Sequence, residues 1–252
     1  MIKSGVVSVT FRKKSPRELI DISARAGLQA IEWGSDIHVP QGELALAREV
    51  RDMTISAGLD VASYGSYYYV GMDQDFAPYL ETAVELGAPN IRIWAGKCPS
   101  KTSDKSFRNK VAEDTHRICE EAAKAGITIS SEYHANTLTD NLDSAIRFLE
   151  DANSSNMYSY WQQPLFVADE DQYPEMKKLF DTGKLTNIHV FAAYRGKFNK
   201  RPLAEDTKEW REFLSLLKTD DKLRYALLEF VKDDSDEIFI QDCATLNSLI
   251  NE

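Results

Sequence analysis

Short strand-like runs recur about every thirty residues along this chain, with helical patterns between them. The runs are GVVSVTF (5–11), QAIEWG (29–34), DVASYG (60–65), NIRIWAG (90–96), ITISSEYH (127–134), MYSYWQ (157–162), TNIHVF (186–191) and RYALLEFV (224–231). Eight strands that alternate with helices are typical of a (β/α)8 barrel. A doubly wound open sheet is the alternative, but its first strand normally leads into a glycine-rich turn, and TFRKKSPREL has no glycine. We therefore predict an α/β protein, a single-domain (β/α)8 TIM barrel over residues 1–252.

The segments between the strands show how the helices begin and end. After TDN, apolar residues repeat with helical spacing at Leu142, Ala145, Ile146 and Leu149. Thr139 is predicted to cap this helix, with Asp140 in its first turn. Four glycines end helical patterns and are predicted to be left-handed C′ residues: Gly27, Gly58, Gly87 and Gly126.

Composition excludes some classes of protein. The formal net charge is −10, which opposes binding to a phosphate backbone, so no nucleic-acid partner is expected. The three scattered cysteines have no CxxC spacing and are typical of free thiols in a reducing compartment. The segment MIKSGVVSVTFRKKSPREL has no long apolar run, which predicts neither a signal peptide nor a membrane span. A cytoplasmic protein that does not bind membranes is expected.

Polar side chains at strand ends are the candidates for chemistry, because barrels of this type place reactive groups at the carboxyl ends of their strands. In ISSEYHANTLTDN, Glu132 and His134 are two positions apart and therefore share one face of a strand. The same alternation turns His189 of NIHVF and Glu229 of RYALLEFV inward. Two glutamates and a histidine at one side of the barrel mouth favour a site for a divalent cation.

Each candidate also has an ordinary structural explanation. A histidine near a strand end is often a hydrogen-bonded structural residue, and Glu132 could pair with Arg92 or Arg195 and only buttress the barrel. The aromatic run YGSYYY (64–69) is either a sugar-stacking wall or packing over the barrel rim. The basic run RGKFNKR (195–201) is either a solvated loop or a lid over an anionic or polyhydroxyl substrate.

Several segments together resemble a known family. AIEWGSDIHVP, NIRIWAG, EYHANTLTDN, YWQQP, NIHVF, RPLAEDTKEW and LLEFVKDDS are similar to the xylose isomerase-like barrel superfamily, and within it to the sugar phosphate isomerases/epimerases. The resemblance runs from about residue 5 to residue 246. That superfamily contains ketose 3-epimerases, sugar isomerases, inosose dehydratases and endonucleases, so its fold does not determine its function.

The resemblance implies one bound divalent metal ion (Mn, Co, Zn or Mg) held by four strands. The family pattern of Glu, Asp, His and Glu falls on Glu132, Gln162, His189 and Glu229. The strand-6 aspartate is therefore replaced by Gln162, or by Gln163 if the alignment shifts, and an amide oxygen is a weaker ligand than a carboxylate for a hard cation. The family arginine six positions after the metal histidine falls on Arg195. A second family glutamate, six positions after the first, is Leu138 here.

The implied chemistry is isomerisation or epimerisation of a keto-sugar. The cation would polarise the carbonyl and stabilise an enediolate, while Glu132 and Glu229 remove and return the proton. His134 or Arg195 would bind or protonate a substrate oxygen. Aromatic and imidazole side chains are expected to shape the pocket: Trp33, His38, Trp94 and Trp161.

Three alternatives stay open from the sequence. A keto-sugar lyase or dehydratase uses the same enolate step, and a sugar-binding barrel with a vestigial metal site would accommodate the glutamine. A nuclease would need a histidine-rich zinc cluster, which four histidines and a net charge of −10 disfavour. The expected partner is a small carbohydrate. Its identity, its phosphorylation and association with further copies of the chain are left undetermined.

Overall fold

Eight parallel strands close into a barrel in this computed structural model, which describes residues 1–165, 167–194, 196 and 199–252. The strand order around the barrel is β1-β10-β7-β6-β5-β4-β3-β2. The barrel strands are β1 (Ile2–Val7), β2 (Ala30–Gly34), β3 (Asp60–Tyr69), β4 (Asn90–Trp94), β5 (Thr128–Ser131), β6 (Met157–Gln162), β7 (Leu185–Val190) and β10 (Arg224–Leu228). A short antiparallel pair, β8 (Ala193–Tyr194) and β9 (Asn199–Lys200), follows β7. The predicted (β/α)8 barrel is confirmed.

Helices alternate with the barrel strands. They are α1 (Pro16–Arg25), α2 (Leu44–Ser56), α3 (Ala77–Leu86), α4 (Lys105–Lys124), α5 (Leu142–Ala152), α6 (Asp169–Asp181), α7 (Thr207–Leu217) and α8 (Asp236–Asn251). Three short 3-10 helices lie at Ser8–Phe11, Leu203–Glu205 and Lys232–Asp234. Within the described part of the chain, no helix is long and apolar enough to span a membrane.

Local sequence signals account for many of the helix ends. Ser15 caps α1 and forms a capping box with Glu18, which satisfies backbone N–H groups at the start of the helix. The four glycines predicted to end helical patterns have φ values between 71° and 78°, a left-handed conformation that costs glycine little. The predicted cap of α5 is wrong: Asn141, not Thr139, accepts the hydrogen bond from Ser144 N, and Asp143 is the acid of the first turn.

The inside of the barrel is apolar at some levels and polar at others. A small apolar cluster inside the barrel includes Val7, Ala30, Ala62, Tyr160, Tyr225 and Leu227. Beside it the inward side chains are polar and bonded to one another: Asn187 Nδ2 donates to Tyr160 Oη at 2.8 Å, and Asn90 Nδ2 donates to Ser130 Oγ at 2.7 Å. The large apolar core lies between the strands and the helices. This arrangement leaves the carboxyl ends of the strands to carry charged groups.

Candidate metal centre

Three side chains from separate strands meet at the carboxyl end of the barrel. Glu132 directly follows β5, His189 lies in β7 and Glu229 directly follows β10. Each offers an oxygen or nitrogen atom, and these atoms all lie within 4.8 Å of one another. His189 Nδ1 is 3.3 Å from Glu229 Oε2 and 3.8 Å from Glu132 Oε1. All three residues are buried, so they share one secluded site inside the barrel.

Backbone hydrogen bonds hold the two glutamates in place although both lie just beyond their strands. Glu132 N donates to Ile93 O at 3.0 Å, and Glu229 N donates to Val190 O at 2.9 Å. Both contacts extend the barrel ladder by one residue. Thr139, whose hydroxyl donates to the carbonyl oxygen of Glu132, ties the following loop back to the strand end.

A buried ion-pair chain crosses the barrel beside these three residues. Arg92 of β4 donates from Nε to Glu32 Oε1 of β2 at 2.7 Å and from a terminal nitrogen to Glu132 Oε2. Arg92 and Glu32 have 3% and 0% exposed side chains. Glu32 Oε1 also lies 3.6 Å from His189 Nε2. The inward phase of Glu32 and Arg92 was readable in the sequence, but their membership of the site was not predicted.

Electrostatics set the protonation states of this cluster. Burial raises the pKa of Glu32, but Arg92 and His189 outweigh burial and hold it at about 2, so Glu32 is ionised. Burial lowers the pKa of His189, but the carboxylates of Glu229 and Glu32 raise it to about 10. Without a cation, His189 therefore carries a proton that partly balances the three carboxylates.

Several buried polar atoms of this cluster have no hydrogen-bond partner in the described part of the chain. They are Glu32 Oε2, Gln162 Oε1, Glu229 Oε2 and both ring nitrogens of His189. Buried polar groups are normally satisfied, so orphaned donors and acceptors that converge need an explanation such as an ion. With His189 neutral, as a metal ligand must be, three carboxylates and the Arg92 guanidinium leave two net negative charges. The donor set and its charge fit one divalent cation.

Gln162 and Gln163 take different positions at the end of β6. Gln162 pairs with His189 in the strand register, and its Nε2 donates to Tyr133 O at 2.7 Å, which leaves Oε1 for another partner. Gln163 is 2% exposed, and neither of its amide atoms has a hydrogen-bond partner among the described residues. Of the two amides, Gln162 is the one that pairs in the strand register with a candidate ligand, His189.

A cleft of about 380 Å³ opens at this end of the barrel. Its lining includes Tyr133, His134, Gln162, Gln163, Phe191 and Phe230. The three candidate ligands do not line it, but Tyr133 and Phe230 directly follow two of them and Gln162 pairs with the third. The cleft therefore lies next to the candidate metal centre.

Aromatic rings stand on the side of the mouth formed by β3 and β4. Trp94 lies 4.3 Å from His134 and 5.3 Å from Tyr69, measured between ring centroids. His134 Nδ1 lies 2.7 Å from Ala135 O. Tyr68, by contrast, is fully buried against Phe76 and Tyr79. Within the run YGSYYY, Tyr69 therefore lies with Trp94 at the mouth, and Tyr68 packs against residues of the helix layer.

Three residues expected to shape the pocket lie elsewhere. Trp33 follows the inward Glu32 and so points outward into the core, with no exposed surface. Trp161 is equally buried and packs on Phe213 of α7, with ring centroids 4.8 Å apart. His38 lies against the segment that follows β1: its Nδ1 is 3.1 Å from Ser8 Oγ, and its Nε2 is 3.1 Å from Lys14 O. Arg195, the other expected substrate contact, lies outside the described residues.

Comparison with known proteins agrees with this architecture. Residues 20–248 match the family model described as xylose isomerase-like TIM barrel. A 3-dehydroshikimate dehydratase of Bacillus anthracis is 23% identical over 169 residues, which span 62% of this chain and 60% of that protein.

Solved structures share the fold at low sequence identity. The probable 3-DHS dehydratase of Bacillus anthracis involved in petrobactin synthesis superposes with a TM-score of 0.79 and 18% identity, covering 98% of this chain and 99% of that one. A D-psicose 3-epimerase of Clostridium cellulolyticum, solved with D-tagatose, gives a TM-score of 0.74 and 13% identity, with 98% of each chain covered.

Proposed function

Because this chain belongs to the xylose isomerase-like TIM barrel family, we propose that it is a metal-dependent enzyme that removes a proton next to the carbonyl of a small polyhydroxylated ketone. The observation that carries the proposal is the convergence of Glu132, His189 and Glu229 on one buried point with unsatisfied ligand atoms. These groups lie 3.3–3.8 Å from one another without hydrogen-bond geometry, and a purely structural role would favour fully bonded atoms inside the barrel.

Glu132, His189, Glu229 and the Gln162 oxygen are the groups that would hold the cation. A bound divalent cation supplies Lewis-acid polarisation of a carbonyl, which makes the neighbouring C–H acidic. Carboxylate and carbonyl oxygens suit Mg and Mn, and imidazole suits Zn, so three oxygen donors and one imidazole keep Mn, Co, Zn and Mg as the candidate metals.

Glu229 is the carboxylate best placed to exchange the proton. Its Oε2 lies 3.3 Å from His189 Nδ1 without hydrogen-bond geometry, whereas Glu132 Oε2 accepts a hydrogen bond from Arg92. Return of the proton to the opposite face of the same carbon would give epimerisation, and return to the neighbouring carbon would give isomerisation. Trp94 and His134 at the mouth would contact the C–H face and an oxygen of the substrate.

Dehydration is a second candidate outcome, and the ion pair between Arg92 and Glu132 favours it. A two-base epimerisation needs a second carboxylate that exchanges protons on the opposite face of the substrate. Glu132 has only Oε1 available for that role, since Arg92 occupies Oε2. Elimination of a hydroxyl β to the carbonyl can use one carboxylate: Glu229 would take the proton from the α carbon and deliver it to the β hydroxyl, which leaves as water. One similar protein carries the name 3-dehydroshikimate dehydratase.

Solvent exchange tests the shared first step whatever the final product. Protein loaded with Mn²⁺ would be incubated in D₂O with D-fructose, D-tagatose and 3-dehydroshikimate, and proton NMR would follow C–H to C–D exchange and loss of water. Deuterium incorporation into at least one ketone is expected, and Glu229→Gln should slow it by about 100-fold or more, because a general base typically contributes that much.

The control for this experiment is Asp220→Asn, which alters an ion pair at the opposite end of β10. Full exchange by Glu229→Gln would refute Glu229 as the base. A metal-loaded protein that binds a ketone without exchanging its protons would instead support a sugar-binding barrel.

A further inference from the structure

We propose that Glu32 and Arg92 are positioning residues for the metal centre: they fix Glu132 so that one oxygen faces the cation, and they set the charge of the site for a single divalent ion. This inference deepens the proposed function and rests on it. It concerns residues of β2 and β4, which supply no ligand to the metal set described above.

The first argument is the geometry of the ion-pair chain. Arg92 reaches both glutamates at once, through Nε to Glu32 and through a terminal nitrogen to Glu132 Oε2. A guanidinium is planar and rigid, so Glu32 on one side fixes the direction in which Arg92 meets Glu132 on the other. Glu132 then has one oxygen, Oε1, left for the cation. This oxygen lies 3.8 Å from His189 Nδ1.

The second argument is the space reserved for this pair. Gly65 of β3 lies against it, and a Cβ atom at Gly65 would come within 2.7 Å of an Arg92 terminal nitrogen and 2.9 Å of Glu32 Oε1. The φ angle of Gly65 is not positive, so its backbone does not require glycine. Contact with the Arg92–Glu32 pair therefore explains the missing side chain.

The third argument is charge. Glu32 is fully buried, and its Oε1 lies 2.7 Å from Arg92 Nε, so its carboxylate pairs with the guanidinium inside the barrel. The carboxylates of Glu132 and Glu229 then remain to balance one divalent cation. Without the charge of Glu32, the same cation would share the site with an uncompensated guanidinium, which a buried location makes costly.

The test is Mn²⁺ affinity measured by isothermal titration calorimetry on the full chain, beside circular dichroism to establish folding. Glu32→Gln removes the charge at constant shape, and Gly65→Ala keeps every charge but displaces the pair. Each is expected to weaken Mn²⁺ binding by about tenfold or more, the range usual for residues that orient metal ligands.

The matched control is again Asp220→Asn. Asp220 is 30% exposed and pairs with Arg224, whose side chain is 1% exposed, so the control also removes the carboxylate charge from a buried arginine, at the opposite end of β10 from the candidate metal centre. It should lower the melting temperature and leave Mn²⁺ affinity unchanged. A positioning role predicts loss of affinity in the folded Glu32 and Gly65 variants, whereas a purely structural role predicts loss of melting temperature alone.

The outcomes separate this inference from the proposed function. Wild-type binding of Mn²⁺ with unchanged affinity in both variants would overturn the positioning role only. A wild-type protein that takes up no Mn²⁺ would overturn the proposed function and this inference together. If Glu32→Gln does not fold, the affinity of Gly65→Ala decides the question.

Discussion

Gln163 is a buried amide whose two polar atoms have no hydrogen-bond partner among the described residues. An unsatisfied buried amide costs about 1–3 kcal/mol of stability. Because Gln163 lines the cleft beside the candidate metal centre, this cost is consistent with an amide that hydrogen-bonds to a substrate oxygen.

Gln163→Leu is therefore expected to raise the free energy of unfolding by about 1 kcal/mol, measured by urea denaturation. The control is Gln172→Leu in α6: Gln172 is also fully buried, but its amide nitrogen donates to Pro164 O and Val167 O. That substitution should destabilise the protein. Equal destabilisation by both would show that Gln163 has a structural partner.

Asp242 of α8 gives a prediction for pH dependence. Its Oδ1 accepts a hydrogen bond from Leu203 N at 2.8 Å, yet burial outweighs this bond and raises the pKa of Asp242 from 3.8 to about 6. A raised pKa means that the folded state binds the proton more tightly than the unfolded state. The contribution of Asp242 to stability is therefore full below about pH 4 and is lost as the pH rises through about 6.

Asp242→Asn keeps the acceptor oxygen and removes the charge. The variant should be more stable than the wild type at pH 7.5 by about 1–2 kcal/mol, and this difference should shrink as the pH falls from 6 toward 4. Urea unfolding at a series of pH values measures it. A constant difference between the variant and the wild type over that range would show that Asp242 does not titrate there.

At the residue scale, the sequence indicated Glu132, His189 and Glu229 through strand phase and family resemblance. It could not show that Glu132 is ion-paired, because Arg92 and Arg195 were equally available partners on sequence grounds. Trp94 faces the mouth, whereas Trp33 and Trp161 face the helices. Separating them from the sequence requires the alternation of inward and outward residues to be applied to each strand.

The loop after β5 connects the candidate metal centre to α5 and is held by its own side-chain hydrogen bonds. Thr139 Oγ1 donates to Glu132 O, and Thr137 Oγ1 donates to His134 O at 2.8 Å. These side-chain bonds act together with the ladder bond from Glu132 N to Ile93 O. They hold the backbone in place after the ladder ends.

Thr139→Val should lower the free energy of unfolding by about 1 kcal/mol and weaken Mn²⁺ binding, because the hydroxyl bond to the Glu132 backbone is lost without a change of shape. The comparison variant is Thr115→Val in α4, where the hydroxyl donates to Val111 O at 2.7 Å. It should cost similar stability and leave Mn²⁺ affinity intact, both measured by calorimetry. Unchanged Mn²⁺ affinity in Thr139→Val would show that this loop does not help to position Glu132.

At the element scale, strand and helix order followed from hydrophobic periodicity and from glycine at helix ends. The end of β5 and the start of α5 were less accurate, because Thr139 and Asn141 are both good capping residues. The Thr139 hydroxyl instead donates to the carbonyl oxygen of Glu132, a contact outside the helix that leaves Asn141 as the cap. No local pattern contains that information.

At the scale of the whole molecule, a bound cation would join strands that are distant in sequence. Glu132, His189 and Glu229 lie in or directly after β5, β7 and β10, respectively. They are therefore far apart in the unfolded chain. A ligand that binds only the folded state stabilises it by about 2.7 kcal/mol at a concentration 100 times its Kd.

Addition of MnCl₂ at about 100 times its Kd should therefore raise the melting temperature of the wild type by several degrees, as followed by circular dichroism. The same addition should leave Glu229→Gln nearly unchanged. Equal upward shifts in both proteins would place the cation at another site.

The architecture of the molecule was predictable because repeated alternation of strands and helices permits few folds. Its reaction was not, because isomerases, epimerases and dehydratases share the enolate step and differ in how protons return. The pairing of Arg92 with Glu132 bears on how protons return. The pairing is established by the folded barrel, in which β4 and β5 are neighbours.

The central claim is that the barrel mouth holds one divalent cation. Elemental analysis of protein purified without chelators tests it most directly, with Glu132→Gln and Glu229→Gln purified in parallel. We predict about one equivalent of Mn, Co, Zn or Mg in the wild type and a marked loss in both variants. Metal absent from the wild type even after loading would contradict the claim, and two or three zinc equivalents would point to a nuclease instead.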